Sequence, residues 1–275
     1  MKKIIENILR KLDIYYFLLP KYVCFAFWRD YGRHYHKTVK QNGFVCNVCN
    51  SSYENFVPSY PDPDDKPALD KYQVYAGFSE NDFCPDCMST CRERLIIAML
   101  QNEIDYEDRK ILHFAPEKTI FSFLRNKARI ITADYFPDRY KHIDRKIIFA
   151  DITKLHFSDN EFDIIIANHI LEHIPDDKVA MKELYRILKP TGQAILQIPY
   201  SVTIETTLED PSVTDPKKKS ALFGQYDHVR IYSMNDYIHR LKEVAFSVDL
   251  IGSQQLQKYK QNALQLGETF FIIRK

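Results

Sequence analysis

The stretch that decides the fold is KIIFADITKLHFSDNEFDIIIANHILEHIPDDKVAMKELYRILKPTGQAILQIP, residues Lys146–Pro199. It contains an uninterrupted apolar run, Phe162–Ala167, which is typical of a parallel strand buried on both faces. A helical pattern follows over Asp176–Leu188, with apolar residues on one face and a stop at Lys189-Pro190. Another apolar run, Gln193–Ile198, returns to the sheet. The order strand, helix, strand predicts a βαβ unit of an α/β domain.

Similar patterns flank this unit on both sides. Further strands are predicted at Lys110–Phe114, Arg129–Ala133, Lys146–Ala150, Phe246–Ile251 and Thr269–Ile273, and further helices at Thr119–Asn126 and Met234–Val244. This alternation predicts a doubly wound, seven-stranded, mostly parallel α/β sheet over residues 109–275. Sheets of this kind bind ligands beyond the carboxyl ends of the strands, near the point where the strand order reverses.

The composition is that of a globular protein and argues against two kinds of site. The chain has 275 residues, of which 45% are hydrophobic and 27% charged, so it can hold an α/β domain and a smaller module. A formal net charge of +1 gives no overall basic field for nucleic acid. With seven glycines and neither GxGxxG nor GxxxxGK[ST], no glycine-rich phosphate loop is expected.

Residues 1–40 form a basic, aromatic-rich segment. It has nine Lys and Arg against three acids and includes the apolar run Ile14–Trp28, which Pro20 and Lys21 interrupt. The run is too short to cross a bilayer, and no small-residue cleavage site follows it. A helical hairpin packed on the rest of the protein is the simpler interpretation. The alternative is a surface that sits on a membrane or a lipid-linked substrate.

Residues 41–108 contain two CxxC pairs, Cys46-Asn-Val-Cys49 and Cys84-Pro-Asp-Cys87, separated by 34 residues. Two such turns supply the four thiolates of a tetrahedral zinc site, in a Pro- and Asp-rich segment that cannot bury a core of its own. The sequence therefore predicts a small zinc-binding module with a structural ion. Disulfides, free thiols or another metal are the alternatives, and Cys91 could replace Cys87 as the fourth ligand.

Acidic residues stand at the ends of two predicted strands. Asp134 ends the second strand of the α/β domain and Asp151 ends the third. An acid at the first position can accept both ribose hydroxyls of an adenosine, and one at the second can accept the adenine amino group. Either residue alone could instead be a turn or cap residue. The pair suggests nucleoside binding, which a dinucleotide-binding enzyme would also show.

Three motifs in this region resemble the class I S-adenosylmethionine-dependent methyltransferase superfamily. They are D-x-x-x-L-x-F-x-D-x-x-F-D (Asp151–Asp163), HILEHIPD (His169–Asp176) and ELYRILKPTG (Glu183–Gly192). The similarity covers roughly residues 109–275. The CxxC…CxxC followed by CRERL (Cys91–Leu95) resembles a subgroup that carries a zinc module ahead of a Rossmann-like methyltransferase domain.

The resemblance implies a set of cofactor contacts for S-adenosylmethionine. Asp134 and the adjacent Tyr135 would bind the ribose, while Asp151 and the backbone of Ile152 would hold the adenine. Asn168 and His169 would line the methyl-transfer site. The loop Phe114-Ala115-Pro116-Glu117 would replace the superfamily's glycine-rich first loop.

That first loop departs from the family pattern. Most members have an acid where His113 stands, and glycines where Ala115 and Glu117 stand. Loss of the glycines changes how closely the backbone can approach the methionine part of the cofactor. One interpretation is that Glu117 supplies the missing carboxylate to the methionine ammonium group. The other is a degenerate pocket that binds the cofactor weakly.

A base is needed only if the methyl acceptor is a hydroxyl. Candidates are His169, which faces the predicted cleft, and the Asp227-His228-Val-Arg230 cluster, which follows the insertion Ser201–Tyr226. We expect His228 to be the base and Arg230 to contact an anionic group of the substrate. His173 is expected to be structural.

The predicted function is methyl transfer to a small-molecule or glycan- or lipid-linked acceptor, at oxygen, by a cytoplasmic or peripheral membrane enzyme. An RNA methyltransferase that binds RNA with the zinc module is an alternative, but the near-neutral charge argues against nucleic acid as a partner. A binding protein that keeps the fold without catalysis is the other.

Overall fold

A computed structural model describes residues 43–275 together with residues 29, 32–34, 36 and 38. Apart from those few positions, the expected hairpin and membrane-facing surface of residues 1–40 lie outside the described residues. Within the part that is described, no helix combines the length and apolar character needed to span a bilayer.

The secondary structure alternates as the sequence predicts, with additional short elements. The strands are β1 (Phe44–Val45), β2 (Ser52–Tyr53), β3 (Val74–Tyr75), β4 (Lys110–Phe114), β5 (Arg129–Asp134), β6 (Ile148–Phe149), β7 (Phe162–Ile166), β8 (Leu188–Ile195), β9 (Tyr200–Ser201), β10 (Leu208–Glu209), β11 (Arg230–Ser233), β12 (Ser247–Ile251) and β13 (Phe270–Arg274). The α-helices are α1 (Lys66–Lys71), α2 (Cys91–Asn102), α3 (Lys118–Leu124), α4 (Asp177–Ile187), α5 (Pro216–Phe223), α6 (Met234–Glu243) and α7 (Ser253–Leu256). Short 3₁₀ helices lie at Pro137–Arg139, Leu171–His173 and Gln257–Asn262.

Within residues 43–275, seven strands form the main sheet in the order β12-β13-β8-β7-β4-β5-β6. The five strands from β8 to β6 pair in parallel, whereas β13 is antiparallel to both of its neighbours. The predicted doubly wound, mostly parallel fold is therefore confirmed. From β4 the chain moves to β5 and β6 on one side and to β7 and β8 on the other, so the strand order reverses between β4 and β7. This is where a ligand crevice is expected in such a sheet.

Two strands differ in length from their predicted bounds. Strand β6 is shorter, because the Asp144 carboxylate accepts a hydrogen bond from the Lys146 amide and holds the chain in a turn before the sheet. Strand β8 begins five residues earlier than predicted, at Leu188. Helix α4 does stop just before the predicted Lys189-Pro190, and the chain then pairs with β7 through a register shift between Phe162 and Ile164.

A second sheet, in the order β10-β11-β9-β3, was not predicted. It joins the insertion after β8 to the segment that follows the first CxxC pair, since Val74–Tyr75 pairs with Tyr200–Ser201. Three of its strands have two residues each, too few to show an alternating pattern in the sequence. The segment of residues 41–108 is therefore tied by backbone pairing to the insertion.

Helix α2 begins directly after the second CxxC pair and packs on the main sheet. Thr90 caps it through a reciprocal pair of bonds, in which its hydroxyl accepts from the Glu93 amide and the Glu93 carboxylate accepts from the Thr90 amide. Its apolar residues share one core with β4, β7 and β13, namely Leu95, Ile96, Met99 and Leu100 with Ile111, Ile164 and Ile272. Each such side chain contributes about 1.5–3 kcal/mol by burial. Helix α2, which lies within residues 41–108, is thus part of the core of the α/β domain.

Candidate active site and cysteine cluster

Glu117 lies at the carboxyl end of β4 and contacts groups from two strands. Its Oε2 is 2.6 Å from His113 Nε2, and its Oε1 accepts a hydrogen bond of 3.1 Å from Asn168 Nδ2, beyond the end of β7. Burial alone would raise the pKa of Glu117, but the hydrogen bond and charge of His113, together with Arg92, lower it overall. An ionised carboxylate therefore stands where the strand order reverses. It can receive a cationic group.

The loop before Glu117 is strained at Ala115, where φ is +42°. A non-glycine residue in the left-handed region costs roughly 1–2 kcal/mol. The Ala115 amide donates to the Ala133 carbonyl at 3.0 Å, which holds the turn against β5. Phe114 and Pro116 on either side are buried. The chain thus keeps the backbone conformation of a glycine position without the glycine.

Asp134 and Asp151 end adjacent strands at the same edge, and the Ala150 amide donates to the Asp134 carbonyl at 3.0 Å. One oxygen of each carboxylate serves the local turn. Asp134 Oδ1 accepts from the Phe136 amide at 2.6 Å, and Asp151 Oδ1 accepts from the Thr153 amide at 2.9 Å. These bonds leave the second oxygen of each acid for another partner. Burial raises the pKa of Asp134.

Exposed aromatic rings border these acids. Tyr135 is 54% exposed, and its ring centroid lies 4.9 Å from that of Phe136 and 5.4 Å from that of Phe149. Ile152, which follows Asp151, is buried. Flat, exposed rings of this kind give a purine base a surface on which to stack.

The end of β7 presents polar atoms that have no hydrogen-bond partner among the described residues, including Asn168 Oδ1 and His169 Nε2. His169 adopts φ +52°, and its amide donates to the Gln197 carbonyl at 2.7 Å. Burial lowers the pKa of His169 well below its ordinary value. Strained non-glycine residues persist where the surrounding structure holds them, often at functional sites.

Glu172, which the sequence patterns did not single out, lies between the predicted residues His169 and His228. Its Oε1 is 3.4 Å from His169 Nδ1 and 4.0 Å from His228 Nε2. The side chain is almost fully buried, and neither carboxylate oxygen has a hydrogen-bond partner in the described part of the chain. Burial raises the pKa of Glu172 to about 8. The spacing of His169, Glu172 and His173 in a single turn was the available signal.

The predicted loop cluster comes together around Glu172. The Val229 amide donates to the Glu172 carbonyl at 2.9 Å, which brings His228 to the end of β7. Burial, followed by the charge of His173, lowers the pKa of His228 to about 4. His173 Nδ1 lies 3.5 Å from Asp227 Oδ1, and the rings of His173 and His228 are 4.7 Å apart. His173, expected to be structural, is therefore part of this histidine cluster.

Arg230 is 3% exposed and holds the turn that carries Glu172. Its Nη1 donates to the carbonyls of Leu171 and Ile174, its Nη2 to the carbonyl of Pro175, and its Nε to the carboxylate of Glu209. These bonds engage every nitrogen of the guanidinium. A contact between Arg230 and an anionic group of the substrate stays a prediction, whereas its positioning of this turn is observed.

Arg92, also missed, extends from α2 towards the same acids. Its positive charge lowers the pKa of Glu117 and acts on His169, Glu172 and Glu268. Its Nε is buried and has no hydrogen-bond partner among the residues described. Gly77 lies beside it, and a Cβ there would make an ordinary contact, 3.6 Å from Arg92 Nη1. Arg92 follows Cys91 directly, so the cysteine-rich segment contributes a charge that acts on residues at the ends of β4 and β7.

The four predicted metal ligands form a compact cluster. The sulfur atoms of Cys46, Cys49, Cys84 and Cys87 all lie within 4.8 Å of one another. Cys46 Sγ is 3.6 Å from Cys87 Sγ, and Cys49 Sγ is 3.6 Å from Cys84 Sγ. A tetrahedral shell with Zn–S bonds of about 2.3 Å has edges of about 3.8 Å, so these residues fit zinc.

The two CxxC turns have the same backbone geometry. Asn50 and Met88, the residues after each pair, have φ of +62° and +59°, and their amides donate to the carbonyls of Cys46 and Cys84. Cys91 lies outside the cluster, is buried, and donates from its sulfur to the Gly77 carbonyl at 3.5 Å. The geometry therefore favours Cys87 over Cys91 as the fourth ligand.

Arg94 fastens the cysteine cluster to the end of the α/β domain. It is fully buried, and its guanidinium donates to the carbonyls of Asp82 and Ser89 beside the second CxxC turn. It also donates to the carbonyls of Asn262 and Ala263, near the C-terminus, at 2.8 and 2.7 Å. A planar group with five donors suits such a junction.

Residues 119–196 match the family described as "Methyltransferase domain". Phosphoethanolamine N-methyltransferase 1 of Arabidopsis thaliana is 28% identical over 115 residues, 41% of this chain and 21% of that protein. Demethylmenaquinone methyltransferase of Staphylococcus carnosus (strain TM300) is 42% identical over 50 residues, 18% of this chain and 21% of that protein. The chain thus aligns with about a fifth of the length of these relatives.

A solved S-adenosylmethionine dependent methyltransferase from Mesorhizobium loti is 14% identical and superposes with a TM-score of 0.46, covering 67% of this chain and 96% of that one. The domain match lies within the sheet described above, from α3 to β8. The family match supports a methyltransferase domain over residues 119–196.

Proposed function

We propose that this protein is an S-adenosylmethionine-dependent methyltransferase that methylates a hydroxyl group of a small-molecule, glycan or lipid-linked acceptor. The observation that carries the proposal is the ionised Glu117, bonded to His113 and Asn168 at the reversal of the strand order. It stands at the same edge of the sheet as two acids with spare oxygens. Such an edge can hold a nucleoside that carries an ammonium group.

Each part of the cofactor has a residue suited to hold it. The second carboxylate oxygen of Asp134 would accept hydrogen bonds from the ribose, and that of Asp151 would accept one from the adenine amino group. Tyr135 and the Ile152 backbone lie beside these acids. Glu117 would pair with the methionine ammonium, and the Phe114–Pro116 backbone would run along the methionine. When bound, S-adenosylmethionine supplies a methyl group activated by its sulfonium. The protein's task is then to orient the acceptor and exclude water.

The acceptor side of the crevice carries groups that can take up a proton. His169 and His228 have lowered pKa values, so both imidazoles are neutral near pH 7 and can act as bases. Asp227 lies beside His173 and can orient that ring. These groups support a hydroxyl as the acceptor, because an amine that is already deprotonated needs no base.

The four cysteines would hold a zinc ion in a structural role. Four thiolates complete a tetrahedral shell and leave no position for a substrate or water. The surrounding segment has short strands and a small core cluster made of Cys46, Tyr53, Phe56, Cys84 and Ala263. A metal would supply the stability that so small a core lacks.

Calorimetric titration with S-adenosylhomocysteine tests the proposal. We expect saturable binding to the full chain, and a loss of at least tenfold in affinity in Glu117→Ala. Glu107→Ala is the matched control, because Glu107 is exposed. No binding to the wild type, or equal affinity in both variants, would contradict the assignment. Mass spectrometry of acceptor mixtures incubated with S-adenosylmethionine would then identify the methylated class by a gain of one methyl group.

A further inference from the structure

We propose that Glu172, His173 and His228 form a second metal site, distinct from the four cysteines and with His169 beside it, at the methyl-transfer end of the crevice. It would bind a divalent first-row transition metal. The ligand atoms of Glu172, His173 and His228 all lie within 4.8 Å of one another, and His169 Nδ1 lies 3.4 Å from Glu172 Oε1. Glu172 has no role in the methyl transfer proposed for this domain.

Glu172 is the strongest sign of a missing cation. Its side chain is 1% exposed, and both carboxylate oxygens lack a hydrogen-bond partner among the described residues. Buried polar groups are nearly always paired, and a buried carboxyl group without a partner is costly whether it is ionised or protonated. Arg92 acts on Glu172 at a distance, but the same charge also faces Glu117 and Glu268. A metal ion would satisfy both oxygens.

Two of the histidines are oriented as metal ligands usually are. His228 Nδ1 lies 3.3 Å from the Phe223 carbonyl, so the proton sits on Nδ1 and the lone pair of Nε2 points towards Glu172. His173 Nδ1 lies 3.5 Å from the Asp227 carboxylate, which leaves its Nε2 as the ligand atom. A carbonyl or carboxylate behind the far ring nitrogen is the common support of a ligating imidazole.

The distances are close to those of a first coordination shell. Metal–ligand bonds of about 2.1 Å place neighbouring ligand atoms about 3.0–3.4 Å apart. The separation of 4.0 Å between Glu172 Oε1 and His228 Nε2 is close to the roughly 4.2 Å between opposite ligands at this bond length. A set of imidazoles with one carboxylate favours a transition metal over Mg²⁺, which prefers oxygen ligands.

The site also narrows the acceptor class, a step that rests on the proposed function. Three protein ligands in an octahedral shell leave three positions, and two neighbouring ones among them would fit an acceptor with two adjacent oxygens, such as the vicinal diol of a sugar. A metal-bound hydroxyl loses its proton to solvent more readily, because the cation stabilises the oxyanion. The oxygen lone pair is then free to act as the nucleophile. His228 would hold the metal and would not itself be the base.

Metal binding to the full, zinc-replete chain tests the proposal without any assay of activity. Mn²⁺ is titrated in and the free ion is followed by electron paramagnetic resonance, then Co²⁺ is titrated and read by visible absorption. We expect one saturable ion per chain, and a loss of more than tenfold in affinity in Glu172→Gln and in His228→Ala. His239→Ala is the control, since that side chain is 69% exposed. Circular dichroism confirms that the variants fold.

The proposal is overturned if neither ion binds saturably, or if Glu172→Gln and His228→Ala bind as the wild type does. S-adenosylhomocysteine binding, measured on the same samples, separates this outcome from failure of the proposed function. Cofactor binding without metal binding would contradict the metal site but not the proposed methyl transfer. Metal binding without cofactor binding would support the site and contradict methyl transfer.

Discussion

His113 Nε2 lies 2.6 Å from Glu117 Oε2, across the turn that joins β4 to α3. The resemblance placed an acid at position 113 and glycine at position 117. In this chain the acid stands four residues later, and the histidine supports it from the strand. Position 117 therefore supplies the carboxylate that the family pattern places at position 113, and the low pKa of Glu117 depends on the histidine.

We expect His113→Ala to weaken S-adenosylhomocysteine binding about tenfold at neutral pH, since a hydrogen bond to a charged group contributes roughly 1.5–3 kcal/mol. Without His113, burial raises the pKa of Glu117, so the variant should lose affinity as pH falls before the wild type does. Calorimetry from pH 8 to pH 5 would show the difference. His113→Gln, which keeps a donor, should recover part of the binding. Identical pH profiles for wild type and His113→Ala would contradict this role.

Because the backbone of Ala115 is strained, we expect this position to tolerate glycine unusually well. Ala115→Gly should leave the free energy of unfolding unchanged or raise it by up to about 1 kcal/mol, because glycine relieves φ +42° at some cost in chain entropy. Ala180→Gly, in α4, should lower it by about 1 kcal/mol or more, because glycine destabilises a helix interior. Urea denaturation of both variants compares them. A larger loss for Ala115→Gly than for Ala180→Gly would rule out strain at this position.

Cys49→Ser should abolish zinc retention and lower the melting temperature, whereas Cys91→Ser should retain one zinc ion per chain. The reason is geometric: Cys49 belongs to the four-sulfur cluster, and the sulfur of Cys91 instead faces the Gly77 carbonyl. Elemental analysis after dialysis measures the ion directly. If Cys91→Ser lost zinc and Cys87→Ser retained it, Cys91 would be the fourth ligand in place of Cys87.

Arg94→Lys should destabilise the protein by about 2 kcal/mol or more, because an ammonium cannot reach the carbonyls on both sides of the guanidinium and leaves buried acceptors unpaired. Thermal unfolding measures the loss. Arg145→Lys, at an exposed position, is the matched control and should change little. Equal melting temperatures for the two variants would show that Arg94 is not a structural link.

Burial raises the pKa of Glu268 to about 7, against an ordinary value of 4.5. The folded state then keeps a proton that the unfolded chain releases, so this residue destabilises the fold progressively from about pH 4.5 to pH 7 and by a constant amount above. The difference in unfolding free energy between Glu268→Gln and wild type should therefore grow over that range, to about 3 kcal/mol at most. Denaturation at several pH values measures it; a constant difference would refute the assignment.

The main sheet was predictable because its strands are long enough to show a pattern. Phe162–Ile166 is buried throughout its centre, and the helix after it ends within two residues of the predicted stop. The second sheet was not predictable, because β3, β9 and β10 have two residues each and depend on partners far away in the chain. Their pairing is decided by tertiary contacts that no local pattern encodes.

The site was predictable where residues follow strands and less so where they come from elsewhere. Glu117, Asn168 and His169 could be named as candidates because they follow β4 and β7, where the sequence pattern is clear. Arg92 was missed because a charged residue in a helical pattern is ordinarily exposed, and its position depends on how α2 packs. A substrate contact was predicted for Arg230, and its bonds to the turn at Leu171–Pro175 were not. Every residue has a backbone carbonyl, so the sequence does not indicate which carbonyls an arginine contacts.

Helix α2 belongs to both halves of the molecule, the cysteine-rich segment and the α/β domain. Near its start, Arg92 acts on the acids of the candidate active site and Arg94 bonds beside the second CxxC turn, whereas Leu95–Leu100 pack in the core of the main sheet. A chimera in which residues 1–108 came from another protein would replace this helix and separate it from the sheet on which it packs. A recombination point that leaves both halves intact would have to fall before Thr90 and still preserve the pairing of Val74–Tyr75. The two halves are therefore expected to be inherited, and to vary, as one unit.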